Sequence, residues 1–219
     1  MTSGDVGSGS SRLREEDVRQ AGDPDARRVL RRQLAEAAVG LFVKQGYHET
    51  TTRDIAQAAG WTVGALYEYV SAKGDILYHV CEELLEETGR LMGALAAAGL
   101  PADAALRAAM ETYLRACDVK QDVILLIYQE SNCLSPDLRA LVMKSEERIT
   151  SGFEELILRG VREGAFAPGS DKAARLAAHN IVVLGQMWAF RRWYFQKHYT
   201  LDEYIAAQTD AIMRGLLPR

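Results

Sequence analysis

Two short helical segments joined by a glycine turn constrain the fold of this chain more than any other feature. Thr51 and Asp54 have the spacing of a capping box, in which a hydroxyl caps a helix start and a carboxylate three residues later returns the hydrogen bond. Gly60 ends this segment, and Thr62 can cap a second one. Two helices of about two turns, joined by three or four residues that include glycine, are typical of a helix-turn-helix unit.

The rest of the chain also has the periodicity of helices. Apolar residues recur every three or four positions from Asp25 to Gln45, and Gly46 can end that helix in a left-handed conformation. No segment has the alternation of a half-buried strand, although 122–132 is so apolar that we expect a buried helix there. We therefore predict an all-α fold of about nine helices. The helices after the helix-turn-helix unit are expected at about 72–98, 101–118, 122–132, 136–163, 171–197 and 201–217.

Composition limits the classes of protein that this chain can belong to. Its 219 residues, 48% of them hydrophobic, suffice for one generous core or for two domains. No apolar run approaches the roughly 18 residues of a membrane span, and the N-terminus lacks the apolar segment of a signal peptide. The three cysteines, Cys81, Cys117 and Cys133, lack CxxC spacing, so neither a disulfide framework nor a zinc knuckle is expected. These features predict a cytoplasmic protein.

The charge distribution is more informative than the net charge of −4. Residues 1–25 hold three basic and six acidic side chains, whereas residues 26–80 hold seven basic and five acidic ones. The remaining residues, 81–219, hold sixteen basic and nineteen acidic side chains. A single positive segment on an acidic body is compatible with DNA binding, but the imbalance is too small to carry that interpretation alone.

Residues 28–77 resemble the DNA-binding domain of the TetR (tetracycline-repressor) family of bacterial regulators. The resemblance rests on TTRDIA from Thr51, AGWTVGALYEYV from Ala59 and KGDIL from Lys73. It implies a three-helix DNA-binding domain at 26–76 and a larger helical domain at 77–219 for effector binding and dimerisation. Residues 1–25 are interpreted as a disordered tail, in which a short helix at 12–19 would have little to pack on.

The residues expected at DNA are small, hydroxyl-bearing or cationic. Small residues at the start of the second helix let its backbone approach the major groove, hydroxyl groups donate to phosphates, and a lysine at a helix start adds charge. Val63 cannot donate a hydrogen bond, which favours a thymine methyl over a guanine as its contact. The expected DNA-binding residues are Thr51, Thr52, Thr62, Val63, Gly64, Tyr67, Tyr69 and Lys73.

Each of these assignments has a structural alternative. Tyr67 and Tyr69 could pack between helices, Thr51 could serve only as a cap, and Lys73 could be a solvated charge; for Arg53 the sequence does not decide between DNA and solvent. Three positions also depart from the usual family pattern, which leaves the operator sequence open. These are Trp61, Val63 and Val70.

Dimerisation is expected because one short recognition helix reads only a few base pairs. The resemblance places the interface on the last two long helices, and the first of these, at 171–197, is apolar on most sides. The alternative is a monomer in which this helix is a central core helix. The expected interface residues are Trp188, Ile212 and Leu216.

An effector pocket is also implied by the resemblance, and polar groups on apolar helices are its candidate lining. Each of these polar side chains, taken alone, is better explained by a hydrogen bond in the core or at an interface. Together they outline an apolar pocket with few charges. Such a pocket favours an apolar molecule with a polar head, for example a fatty acid, an acyl-CoA, an aromatic acid or a drug. The candidates are Tyr113, Tyr128, Gln129, Asn132, Asn180, Met187 and Arg191.

Other classes of function remain to be compared with this one. The four histidines lack metal-ligand spacing, and GxSxG, HExxH, P-loop and GxGxxG motifs are absent, so neither an enzyme, a metal site nor a cofactor is expected. A helical interaction protein without DNA binding would explain the amphipathic helices but not the capped bihelical unit. A regulator of the same family without a small-molecule effector is a further alternative.

Overall fold

The computed structural model describes residues 23–96 and 98–218, without the side chains of residues 95 and 96. Within those residues the chain forms ten α-helices and no strand, which confirms the all-α prediction with one helix more than expected. The predicted tail, with its possible helix at 12–19, lies outside the described residues except for positions 23–25.

The chain divides into two compact units between His79 and Val80, whereas the sequence placed the boundary after residue 76. The first unit contains α1 (Pro24–Gln45), α2 (Thr52–Ala58), α3 (Val63–Tyr69) and the start of α4 (Lys73–Ala96). The second unit contains the rest of α4 together with α5 (Ala102–Val119), α6 (Gln121–Glu130), α7 (Pro136–Arg162), α8 (Asp171–Phe190), α9 (Arg192–His198) and α10 (Leu201–Leu216). A three-residue 3-10 helix, Ser131–Cys133, follows α6.

Side-chain caps and a glycine define the helix-turn-helix unit. Thr51 and Asp54 form both halves of the capping box at the start of α2, and the hydroxyl of Thr62 caps α3. Gly60 lies between them with φ of 72°, a left-handed conformation that residues with a Cβ rarely adopt. Local residue chemistry therefore fixes both short helices and the turn between them, as the sequence predicted.

The core of the second unit forms where α5, α7 and α8 cross. Gly185 on α8 permits the close approach of α5, because a Cβ there would lie 2.5 Å from the Tyr113 ring and 2.6 Å from Cys117 Sγ. The phenol of Tyr113 is buried and donates to the main-chain oxygen of Val182 at 3.1 Å. Burial raises the pKa of this phenol well above its ordinary value, so the group remains protonated.

The predicted single helix at 171–197 is wrong, because the chain leaves the helical conformation at Arg191. The break separates α8 from α9 and lets Phe195 stack on Trp188, with ring centroids 6.0 Å apart, and pack against Tyr204 at 5.0 Å. Burial of this aromatic cluster favours the break over a continuous helix.

Two smaller expectations also need correction. Pro101 is the N-cap of α5 rather than its first helical residue. The expected buried helix at 122–132 is the shorter α6, in which Leu126 is the only buried residue. Ile124 and Ile127 of this helix line a cavity.

Candidate DNA-binding surface and ligand cavity

The outer side of α3 is the candidate surface for reading DNA. Val63 and Tyr67 are exposed by 38% and 55%, while Ala65 and Leu66 on the opposite side are buried in the first unit. Thr62 and Gly64 are half-buried at the start of the same helix. The first turn therefore presents small side chains outward, which is the shape a helix needs to enter a major groove.

Two hydroxyl groups meet beside this surface. Thr52 Oγ1 and the Tyr67 hydroxyl oxygen lie 3.0 Å apart, and either can donate to the other. Because each hydroxyl has one proton and two acceptor positions, the pair retains capacity for a further hydrogen bond, such as one to a phosphate oxygen. Thr52 and Tyr67 thus occupy positions compatible with the predicted phosphate contact.

Thr51 is exposed and acts as the cap of α2. Its hydroxyl and its amide both donate to Asp54 Oδ2, at 2.7 and 2.9 Å. These hydrogen bonds lower the pKa of the Asp54 carboxyl below its ordinary value, the side-chain bond contributing most. These contacts cap the start of α2 and fix the position of the Thr51 hydroxyl.

Tyr69 has a structural position instead of the expected phosphate contact. Its hydroxyl donates to the main-chain oxygen of Arg27 on α1 at 3.2 Å. Its ring packs edge-on against Trp61 at 5.6 Å and lies 5.3 Å from the ring of His79. The prediction for Tyr69 is corrected because its side chain joins α3 to α1.

Lys73 is likewise committed within the first unit. Its ammonium group donates to the main-chain oxygens of Tyr47, His48 and Thr50 at 2.8, 3.1 and 3.0 Å. It also lies 4.4 Å from the centroid of the Tyr47 ring. An ammonium has three protons, and three carbonyl oxygens accept them. The predicted phosphate contact is therefore corrected: Lys73 holds the connection between α1 and α2.

The second unit contains a cavity of about 340 Å³. Its walls come from α4, α5, α6, α7 and α8 and are mainly apolar. Tyr128 and Met143 line it and are also exposed, so the cavity reaches the surface at these two residues. Its apolar walls include Leu84, Leu85, Ile124, Ile127, Leu134, Val142, Ile149, Val182 and Phe190.

Only Tyr113 and Tyr128 of the predicted ligand-binding residues line this cavity. The other five predicted residues do not line it: Gln129, Asn132, Asn180, Met187 and Arg191.

The error on α8 is a rotation of the helix. Val182, Gln186 and Phe190 line the cavity at intervals of four residues. Met187 and Arg191 each follow one of these by a single position, which turns the side chain by about 100° around the axis. The guanidinium of Arg191 instead lies over the ring of Trp193, outside the cavity lining.

Two charged cavity residues that the sequence did not reveal lie on α7. Arg139 and Glu146 line the cavity, and Glu146 accepts a hydrogen bond from the side-chain amide of Gln186. On a long helix with many charged residues, nothing in the sequence distinguishes these two from solvated ones. Their spacing of seven residues places them on one helix face, but other pairs on this helix have the same spacing.

Two of the three predicted dimer-interface residues are buried within one subunit, and the third is partly buried. Trp188 is 2% exposed and donates its indole N–H to Asp118 Oδ1 at 2.7 Å. Leu216 is buried in the core of the second unit, and Ile212 is partly buried against it. The prediction is corrected for Trp188 and Leu216, because these side chains are already covered within the chain. For Ile212, which keeps some exposed surface, it stays a prediction.

The outward faces of α8 and α10 carry other residues, which are exposed to solvent in one subunit. Leu176, His179 and Asn180 are exposed on α8. The exposed side of α10 combines small and polar residues, namely Ala206, Ala207, Asp210, Ala211, Arg214 and Gly215.

None of the helices in the described residues combines the length and apolar character that crossing a membrane requires.

Two family models match the chain. Residues 34–80 match bacterial regulatory proteins of the tetR family, and residues 99–216 match the tetracyclin repressor-like C-terminal domain. The second match alone spans more than half of the chain. The protein belongs to the TetR family of transcriptional regulators, whose N-terminal helix-turn-helix domain binds DNA.

Individual relatives agree with this assignment. The HTH-type transcriptional regulator HbdR of Aromatoleum sp. (strain CIB) is 29% identical, over 84% of this chain and 79% of HbdR. The HTH-type transcriptional repressor KstR2 of Rhodococcus jostii (strain RHA1) is 28% identical, over 80% of this chain and 84% of KstR2. The crystal structure of AibR in complex with isovaleryl coenzyme A and operator DNA has a TM-score of 0.65 at 19% identity, covering 86% of this chain and 98% of AibR.

Proposed function

We propose that this protein is a repressor that binds a palindromic operator as a dimer and is released by a small, largely apolar effector. The observation that carries the proposal is the pairing of two features in one chain. The first unit presents the outer side of α3, and the second unit contains a mainly apolar cavity that reaches the surface. KstR2, one of the relatives, is a repressor.

The DNA contacts of the proposal come from α2 and α3. Thr62, Val63 and Gly64 would approach the groove floor, and the Thr52–Tyr67 hydroxyl pair would bind a phosphate. Tyr69 and Lys73 would act indirectly, by fixing α3 and the α1–α2 connection.

Dimerisation would use the outward faces of α8 and α10. Small residues such as Ala207 and Ala211 let two helices approach closely, and Leu176 supplies exposed apolar surface on α8. A two-fold axis would then present two copies of α3 to successive major grooves, about 34–36 Å apart. A palindromic operator is the DNA sequence that such a dimer would read.

The effector is proposed to be an acyl compound, either a fatty acid or an acyl-CoA. The cavity walls would hold the acyl part, and the opening at Tyr128 and Met143 would leave room for a larger head group to extend outside. The AibR complex with isovaleryl coenzyme A shows that a protein of this fold can take such a ligand.

The proposed switch acts through α4. Leu84, Leu85 and Thr88 on this helix line the cavity, and the same helix begins with Lys73 in the first unit. A ligand that displaces α4 would change the spacing of the two recognition helices. A tenfold loss of operator affinity needs about 1.4 kcal/mol of coupling between the two sites.

A DNA-binding assay with the full chain tests this function. Fluorescence anisotropy would measure binding to the DNA upstream of the protein's own gene, with a scrambled duplex of equal length as the control. We expect salt-sensitive binding to the upstream DNA, and release on addition of medium-chain fatty acids or their CoA thioesters. Equal affinity for both duplexes would contradict the proposal that the protein is a sequence-specific regulator. A complex that no ligand dissociates would contradict the proposed acyl effector.

A further inference from the structure

Two charged side chains that line the cavity lie on one face of α7. Arg139 and Glu146 are separated by seven residues of α7, which places them on the same face and about 10 Å apart along the helix axis. Val142 lies between them on that face and also lines the cavity. A ligand lying along α7 therefore meets a donor, then an apolar wall, then an acceptor.

Arg139 has hydrogen-bonding capacity that the protein does not use. One of its terminal nitrogens donates to the main-chain oxygens of Asn132 and Leu134, both at the long distance of 3.4 Å. Its Nε is buried without a hydrogen-bond partner. The second terminal nitrogen makes no hydrogen bond within the described residues and is not among the buried unpaired atoms, so it can donate to an acceptor oxygen of a ligand.

Glu146 provides the opposite chemistry. Its carboxylate accepts from the side-chain amide of Gln186, and both residues line the cavity. An ionised carboxylate accepts hydrogen bonds and donates none. A ligand group that lies against it must therefore donate, because a purely apolar group would remove water from the carboxylate without replacing its hydrogen bonds.

We propose that the effector is an acyl compound with two polar ends, in which a carboxylate or thioester oxygen accepts from Arg139 and a hydroxyl group at the far end donates to Glu146. This inference rests on the proposed function and narrows it from acyl compounds in general to hydroxylated ones. An unsubstituted chain fits the apolar walls but leaves Glu146 desolvated, and a site built to bind a hydroxyl group discriminates against the analogue that lacks it.

Matched eight-carbon ligands test the far end. Octanoate, 8-hydroxyoctanoate, 8-methoxyoctanoate and 8-aminooctanoate, each as free acid and as CoA thioester, would be titrated into the full chain by calorimetry. We expect the hydroxy compound to bind about tenfold tighter than the unsubstituted and methoxy compounds, since a methoxy oxygen cannot donate. Tightest binding by the amino compound would overturn the hydroxyl assignment in favour of a cation.

Variants locate the two contacts. Glu146→Met combined with Gln186→Met makes that end apolar without leaving an unpaired amide, and should remove the preference for the hydroxy compound. Glu147→Met, at an exposed neighbouring position, should leave the preference intact. Arg139→Lys keeps a charge but loses the second terminal nitrogen of the guanidinium as a donor. It should weaken the binding of the hydroxy and unsubstituted compounds by the same factor.

The outcomes separate this inference from the proposed function. Equal affinity of octanoyl and hydroxyoctanoyl compounds, with release of operator DNA by both, would overturn the inference and leave an acyl-responsive repressor. An unchanged preference in the Glu146→Met, Gln186→Met variant would also overturn it. Absence of binding by every compound of the series would overturn the inference, while the operator assay on its own decides whether the chain is a regulator.

Discussion

The two units use opposite arrangements to present functional side chains. The first unit directs Val63 and Tyr67 outward from a core in which two short, capped helices pack with α1, so its candidate contacts carry little of its stability. The second unit directs Tyr113 and Gln186 inward, where the cavity walls are also the packing surfaces of long helices. Function and stability are therefore expected to separate in the first unit and to remain coupled in the second.

The largest expected effect is Trp188→Glu in the second unit. Trp188 is almost fully buried and donates to Asp118, so a carboxylate there would be desolvated beside a second carboxylate. We expect a loss of about 3–5 kcal/mol in the free energy of unfolding. Trp193→Glu, at an indole that is 60% exposed, is the matched control and should unfold at nearly the wild-type temperature. A folded, monomeric Trp188→Glu protein would restore Trp188 to the interface.

Gly64→Leu should separate DNA binding from stability in the first unit. A leucine on the first turn of α3 would block approach to the groove and reduce operator affinity roughly a hundredfold, equivalent to about 2.7 kcal/mol. The melting temperature should change little, because leucine favours helix more than glycine does. Gly152→Leu on α7, where a Cβ meets open space, provides the control with normal operator affinity. Unfolding of Gly64→Leu would identify Gly64 as a packing residue.

Lys73→Met tests an exception to the separation in the first unit. The substitution removes three hydrogen bonds to main-chain oxygens, so the first unit should lose about 1.5–3 kcal/mol of stability. The slope of log K against log salt concentration should stay unchanged, with Lys44→Met on α1 as the control for loss of an exposed charge. A slope that flattens by about one unit per subunit at unchanged stability would instead show a phosphate contact.

Tyrosine-to-phenylalanine changes give the smallest expected effects. Tyr67→Phe removes one hydroxyl of the Thr52–Tyr67 pair and should weaken operator binding by about 1 kcal/mol without changing stability. Tyr69→Phe removes the hydrogen bond to Arg27 and should leave operator affinity unchanged. Operator binding curves for both variants test this difference, since equal losses of affinity would place both hydroxyls at the DNA.

Sequence reasoning succeeded where local chemistry determines structure. The capping box of Thr51 and Asp54, the cap at Thr62 and the turn at Gly60 all depend on residues a few positions apart. It succeeded less well for Lys73, whose ammonium binds oxygens more than twenty residues away in the chain. No local pattern distinguishes that arrangement from a solvated lysine at a helix start.

In the second unit the sequence predicts the helices, but it does not predict which side of each helix points toward the core or the cavity. On α8, an error of one residue moved the predicted pocket from Gln186 to Met187, because the helix is apolar on most sides and its periodicity does not identify the inner face. The aromatic cluster of Trp188 with Phe195 and Tyr204 depends on packing between three helices, so the sequence alone does not distinguish Trp188 from an interface residue. Tertiary contacts determine which side of a helix points inward.

The most direct test of the account fills the cavity while leaving the DNA-binding surface untouched. Ala116 on α5 lines the cavity, whereas Ala108 on the same helix does not, so Ala116→Trp and Ala108→Trp form a matched pair. Anisotropy of labelled operator would be followed while medium-chain acyl compounds are added to each protein. We predict that wild type and Ala108→Trp release the operator and that Ala116→Trp binds it normally but is not released. Equal release of all three proteins would contradict the assignment of this cavity as the effector site.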